Sequence, residues 1–284
     1  MSGFELPPSP AERKRRAARR RSVRIFAASL AVLFAIGIGA VLAVLSRVAL
    51  DPQTLCPKDA PPASQVAVLL DVTDRFNPVQ RAYVQHAFER LQSSLPEGAQ
   101  LALYPLRAPA RPRLEPAMVL CNPGSGQHAS HLWQNPKKLR RRWEAAFRQP
   151  LASLFDEALR APPARTSPIM EQLQALSASA FGYEDGSAPR ELVIISDLLQ
   201  NSAALSLYRA PLDFPRFHGS TAFERVRCAL PGVSVRILYI LRAGNPYLKR
   251  KRSLIRFWEQ YLDACGAHIE SVDVVPGLEG FDEP

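Results

Sequence analysis

The sequence predicts an α/β protein: a doubly wound, mostly parallel sheet flanked by helices, preceded by one N-terminal transmembrane helix. Three observations carry this. Short apolar runs with β-branched residues, such as Val66–Leu70 and Leu192–Ser196, read as strands buried on both faces. They alternate with helical patterns of 10–20 residues, which places the helices on both faces of one sheet. An uncharged stretch of 22 residues, Ile25–Ser46, precedes them all.

At 1.5 Å per residue that stretch makes a helix of about 33 Å, enough for a hydrocarbon core of about 30 Å. A cleaved signal peptide would carry a shorter apolar core and a small-residue cleavage site. Here the run ends Val44-Leu45-Ser46-Arg47 without an Ala-x-Ala, so an uncleaved anchor is expected. Residues 1–24 hold eight of the 36 basic and two of the 26 acidic side chains, so more than half of the net +10 lies in one short arm. By the positive-inside rule this arm stays in the cytoplasm and the rest crosses. The expected localisation is the cell inner membrane, single-pass, with the C-terminal domain in the periplasm.

The expected organisation is a basic arm (1–24), a transmembrane helix (25–46), a Pro-rich tether (47–64) and one domain (65–284). After the Val66–Leu70 strand, Asn77, Pro78 and Gln80 form an N-cap, a first-turn proline and a capping-box partner. The helix they open presents Val79, Tyr83, Phe88 and Leu91 and stops before Pro96. Strands follow at Leu101–Leu106 and Ala117–Cys121, then one long helix over Lys137–Leu159. Ser167-Pro168 opens a helix with Ile169, Leu173, Leu176 and Ala180 on one stripe. Leu192–Ser196 and Val233–Leu241 are strands. The next helix places Leu254, Phe257, Trp258, Tyr261 and Leu262 on one face, with Gly266 as its stop, and His268–Val275 closes the sheet.

Composition excludes a disordered chain (47% hydrophobic) and a disulfide scaffold (4 Cys in 284 residues). All four cysteines lie beyond the anchor, and an even number suits an oxidising compartment. Four buried free thiols fit the same sequence. If bridges form, the expected pairs are Cys56 with Cys121, flanking the early strands, and Cys228 with Cys265, spanning the Val233 strand and the helix after it.

In open α/β sheets, ligands bind beyond the carboxyl ends of the strands near the switch in strand order. That rule selects Asp71-Val72-Thr73-Asp74-Arg75, Arg165-Thr166-Ser167 and the run beginning Ser196-Asp197. Two strands that each deliver an Asp place hard oxygen donors near one crevice, which suits Mg²⁺ or Mn²⁺.

At these residues the chain resembles a von Willebrand factor type A domain, over roughly residues 65–275. That family has an apolar strand ending Asp-x-Ser-x-Ser, a distant loop Thr and a later strand ending in Asp, often followed by Gly. The resemblance implies adjacent first and fourth strands and a metal-ion-dependent adhesion site made of Asp71, Thr73, Thr166 and Asp197. It implies a protein-binding module rather than an enzyme, in an envelope-associated complex, receiving an acidic group of its partner. Two residues depart from the pattern: Arg75 stands at the third hydroxyl position and Leu198 at the usual Gly.

The same Asp71-x-Thr73 loop also resembles the nucleophile loop of haloacid-dehalogenase-like phosphohydrolases, which makes such an enzyme the alternative. Against it, Thr73 occupies the place of the general-acid Asp, and Asp197 has no acidic neighbour. Other hydrolase motifs and a phosphate-binding glycine loop are missing. His128 and His131 share a Gly- and Ser-rich loop that reads as a solvated turn. Two basic clusters, 137–142 and 249–252, read as solvated helix starts, or else as contacts for lipid headgroups or an acidic partner. No nucleic-acid partner is expected beyond a membrane.

Overall fold

The computed structural model describes residues 10–45, 49–106, 114–127, 135–181, 188–208, 211–242 and 251–277, with the backbone alone at 10–18, 20, 40–45 and 251. It divides into an N-terminal unit ending at Ala49 and a second unit from Leu50 onward.

The first unit is one helix, α1 (Pro10–Leu45). The basic residues from Arg13 to Arg24 lie in the same helix as the apolar stretch. Its segment Arg21–Gly39 is long and apolar enough to cross a membrane, with every side chain exposed.

The second unit holds a six-stranded sheet in the order β3-β2-β1-β4-β5-β6. The strands are β1 (Gln65–Asp71), β2 (Gln100–Leu106), β3 (Met118–Cys121), β4 (Arg190–Ser196), β5 (Ser234–Ile240) and β6 (His268–Val275). All pairings are parallel except β2 with β3. The chain builds outward from β1 through β2 to β3, then returns to lay β4 on the other side of β1. Strand order therefore switches between β1 and β4.

Every residue of β1 is buried, as its unbroken apolar run requires. Val66, Val68 and Leu70 face α2 (Pro78–Ser94) and α4 (Gln149–Ala158), where Phe88 stacks on Phe155 at 4.2 Å. Ala67 and Leu69 face α5 (Ile169–Ser177), α7 (Thr221–Val226) and α8 (Lys251–Ala264). The expected capping box is present: Asn77 Oδ1 accepts from Gln80 N (2.8 Å) and Gln80 Oε1 accepts from Asn77 N (3.3 Å). Gly266 ends α8 at φ +83°, where a Cβ would come within 3.2 Å of Pro231 backbone.

Three features differ from the sequence reading. The long helix from residue 137 is α3 (Pro136–Trp143), a π-helical turn (Glu144–Arg148) and α4. Pro150 lacks an N–H and its ring crowds the carbonyl four residues earlier, which the wider turn accommodates. Two short helices, α6 (Phe214–His218) and α7, escaped the reading; their signals were the N-caps Asp213 and Ser220.

The segment read as a tether is fastened to the sheet from Leu50 onward. Asp51 Oδ1 accepts from the amides of Gln53 and Thr54, Cys121 N donates to Thr54 O at 2.8 Å, and Ala63 N donates to Gly98 O at 3.0 Å. Both expected disulfides are formed, Cys56–Cys121 and Cys228–Cys265, closing 65 and 37 residues of chain. Chain entropy assigns each loop about 4 kcal/mol of stabilisation.

Candidate functional site

The carboxyl ends of β1 and β4 meet at the switch in strand order. Parallel pairing sets Leu70 beside Ile195, so the next residues, Asp71 and Ser196, are neighbours. Side chains alternate across a strand, so Asp71 continues the row Ala67–Leu69 and Ser196 the row Leu192–Ile194 on the same face.

Asp71 is 2% exposed and accepts four hydrogen bonds. Oδ1 takes Thr73 N (3.1 Å) and Thr73 Oγ1 (2.7 Å); Oδ2 takes Ser196 Oγ (2.7 Å) and Ser167 Oγ (3.2 Å). That fills both oxygens and offsets the cost of burying a carboxylate. Asp197, 3% exposed, accepts Leu199 N on Oδ1 (3.0 Å) and Arg242 Nε on Oδ2 (3.2 Å). Burial, then the charge of Asp71, pushes the Asp197 carboxyl up to about 7, against the pull of Arg242 and of the Leu199 amide.

Of the residues singled out from sequence, Asp71, Thr73 and Asp197 are buried here together. Thr166 is exposed, and its neighbour Ser167 carries the hydroxyl that reaches Asp71. Three loops are zipped around the crevice. Ser167 and Asn201 exchange both backbone hydrogen bonds (2.9 and 2.8 Å), and Ala164 N donates to Thr73 O at 2.8 Å. Leu198, where the family pattern has Gly, sits at φ +60°. It is held there by full burial and by its carbonyl, which accepts Trp258 Nε1 at 2.8 Å. Arg75 is exposed at the rim, as is Tyr208, whose hydroxyl is pushed up to about 12 by burial and then by Asp197, Asp74 and Asp71.

Sequence reasoning missed Ser196 and Arg242 as members of this site. Arg242 follows β5, the strand beside β4, so the strand-end rule that selected Asp197 would also have reached it. Its guanidinium bonds Asp197, donates to the carbonyls of Arg75 and Asp74, and lies 5.0 Å from the Phe76 ring centroid.

The donor types match a hard-cation site, but their arrangement does not fit a divalent ion. Asp71 has no lone-pair direction left, and the outer oxygen of Asp197 faces a guanidinium. Among the described residues, no cluster of three or more His, Cys, Asp or Glu side chains is placed to hold a metal. His128 and His131 lie outside the described residues, as do Lys249 and Arg250. Lys137, Lys138, Arg140, Arg141 and Arg142 are exposed on α3, while Trp143 is buried. A cavity of about 550 Å³ lies at the opposite end of the sheet, lined by Leu95, Glu97, Asn122 and Gly124 among others.

No family model matches the sequence, and no curated protein matches it. Three solved structures are similar in fold. An aerotolerance-related membrane protein from Bacteroides fragilis NCTC 9343 has a TM-score of 0.36 and 11% identity over 75% of this chain and 92% of its own. BatB from Bacteroides thetaiotaomicron has a TM-score of 0.35 and 12% identity over 74% and 91%. The SpRpn10 VWA domain has a TM-score of 0.36 and 12% identity over 76% and 91%. The fold assignment rests on strand order, not on these values. The unit from Leu50 onward is a doubly wound, mostly parallel sheet with an antiparallel β3 at one edge, helices on both faces, and β1 beside β4 as the resemblance to a von Willebrand A domain implied.

Proposed function

We propose that this chain is a membrane-anchored protein-binding module that presents the rim of the β1/β4 crevice to its partner. The observation that carries the reading is the convergence of Asp71, Thr73, Ser167, Ser196 and Asp197 from three separate loops at the switch in strand order. So many buried polar groups at one strand end demand a satisfied network, and that network holds the loops rigid beneath an exposed rim. Arg75, Thr166 and Tyr208 are exposed side chains of this rim. An acidic group of the partner would meet the cationic side of this rim, at Arg75 and the edge of Arg242. The sequence expectation of Mg²⁺ or Mn²⁺ at Asp71, Thr73, Thr166 and Asp197 is the metal-dependent version of the same reading, and capture with and without a chelator separates the two.

An anchored domain with two disulfides suits the periplasmic side of an inner membrane, as part of an envelope complex. The phosphohydrolase alternative would need Asp71 as an open nucleophile, and both of its oxygens are engaged by donors.

The test is site-specific photo-crosslinking in cells from Arg75, Thr166 and Tyr208, with Lys138 as a control at the far end of the sheet. The reading expects a discrete adduct from the rim positions, none from Lys138, and its loss in Arg75→Glu. Equal labelling from all four positions, or none from the rim, would refute it.

A further inference from the structure

A buried pair of carboxyl groups at a strand end needs a positive counter-charge once both ionise. The usual candidates are a metal ion, a proton or a cationic side chain. In this crevice a side chain is in place. Arg242 is 13% exposed in its side chain and makes its ion pair with Asp197 Oδ2. Its other guanidinium nitrogens donate to the carbonyls of Arg75 and Asp74, the loop that carries Asp71 and Thr73, and its plane meets Phe76. One cation thus ties the end of β5 to the loops after both β1 and β4.

The backbone that delivers Arg242 is pinned as well. Leu241 N donates to Val275 O at 3.0 Å, and Leu241 O accepts from Gln80 Nε2 at 2.5 Å. The guanidinium is therefore pre-positioned rather than a long side chain that happens to fold over. A divalent ion between Asp71 and Asp197 would share their neighbourhood with this fixed charge. At an effective dielectric constant of about 20 and a separation of about 5 Å, that repulsion amounts to several decades of affinity.

We propose that Arg242 is the crevice's own cation: it replaces a metal ion between the two strand ends and excludes divalent ions from them. The inference deepens the reading of the β1/β4 crevice as the functional surface. Its test needs only the chain and Mn²⁺, so its failure is separate from failure of partner capture.

The full chain in detergent is titrated with Mn²⁺ and followed by electron paramagnetic resonance. The wild-type chain should show no Mn²⁺ binding that depends on Asp71. Arg242→Ala should gain Mn²⁺ affinity by at least about ten-fold, the repulsion having been removed. The gain should disappear in Arg242→Ala/Asp197→Ala, because Asp197 Oδ2 is the oxygen that loss of the guanidinium frees, and Arg242→Lys should behave as wild type. Arg242→Gln serves where Arg242→Ala does not fold by circular dichroism. Wild-type Mn²⁺ binding that Asp71→Ala abolishes would overturn the proposal, as would a folded Arg242→Ala or Arg242→Gln that gains nothing. Should neither variant fold, the wild-type titration decides alone: Asp71-dependent binding overturns the proposal and its absence upholds it.

Discussion

Ser196 donates its hydroxyl hydrogen to Asp71 Oδ2 across 2.7 Å and accepts Leu198 N at 2.9 Å, so one small side chain joins the ends of β4 and β1 and starts the loop beyond. Ser196→Ala leaves a buried carboxylate one donor short and a buried amide without its acceptor. Unfolding in urea should show a loss of about 2 kcal/mol. A loss below about 0.5 kcal/mol, the size of an ordinary surface change, would mean that the hydrogen bond does not hold the crevice together.

Stability should fall as pH rises through neutrality. The folded-state value of Asp197 is raised from 3.8 to about 7, chiefly by burial and then by Asp71, so the folded state holds a proton that the unfolded state has released. The contribution is complete below the unfolded value and is lost as pH climbs through the folded one. Urea midpoints measured with a chelator present should decline between pH 5 and pH 8 in the wild-type chain and much less in Asp197→Asn. Parallel profiles would count against this account.

Leu198 adopts a backbone conformation that favours glycine, yet its side chain is fully buried. Glycine there would relieve about 1 kcal/mol of strain and forfeit about 3 kcal/mol of packing. Leu198→Gly should therefore be less stable by about 2 kcal/mol in thermal or urea unfolding. A variant as stable as wild type would show that strain, not burial, dominates at this loop.

The arm of eight basic residues before the apolar stretch sets the expected orientation. A reporter that is active only in the periplasm, fused after Pro284, should be active, and one that is active only in the cytoplasm should be silent. The opposite pair of results would reverse the orientation.

Strands β1 and β4 were legible because burial on both faces leaves an unbroken apolar run, and α2 because its cap, proline and capping-box partner stand in order. The hydroxyl that reaches Asp71 from the loop before α5 was not: Ser167 and Thr166 are adjacent, and a loop has no periodicity to say which one turns inward. Arg242 was hidden for a different reason. Its partners Asp197 and Arg75 lie 45 and 167 residues away, and only the pairing of β5 with β4 brings them together.

The two disulfides follow one another along the chain, Cys56 with Cys121 and then Cys228 with Cys265, and neither loop encloses the other's cysteines. Of the three ways to pair four cysteines, this is the one that joins them in order of appearance. Where the residues after the anchor emerge in sequence order, an oxidant that links each cysteine to the next arrival would close both native bridges directly. The first bridge, complete at Cys121, would then close before the residues of β4, β5 and β6 emerge. On the proposed topology, maturation then calls for an oxidant but no reshuffling enzyme, and oxidative folding would keep pace with export.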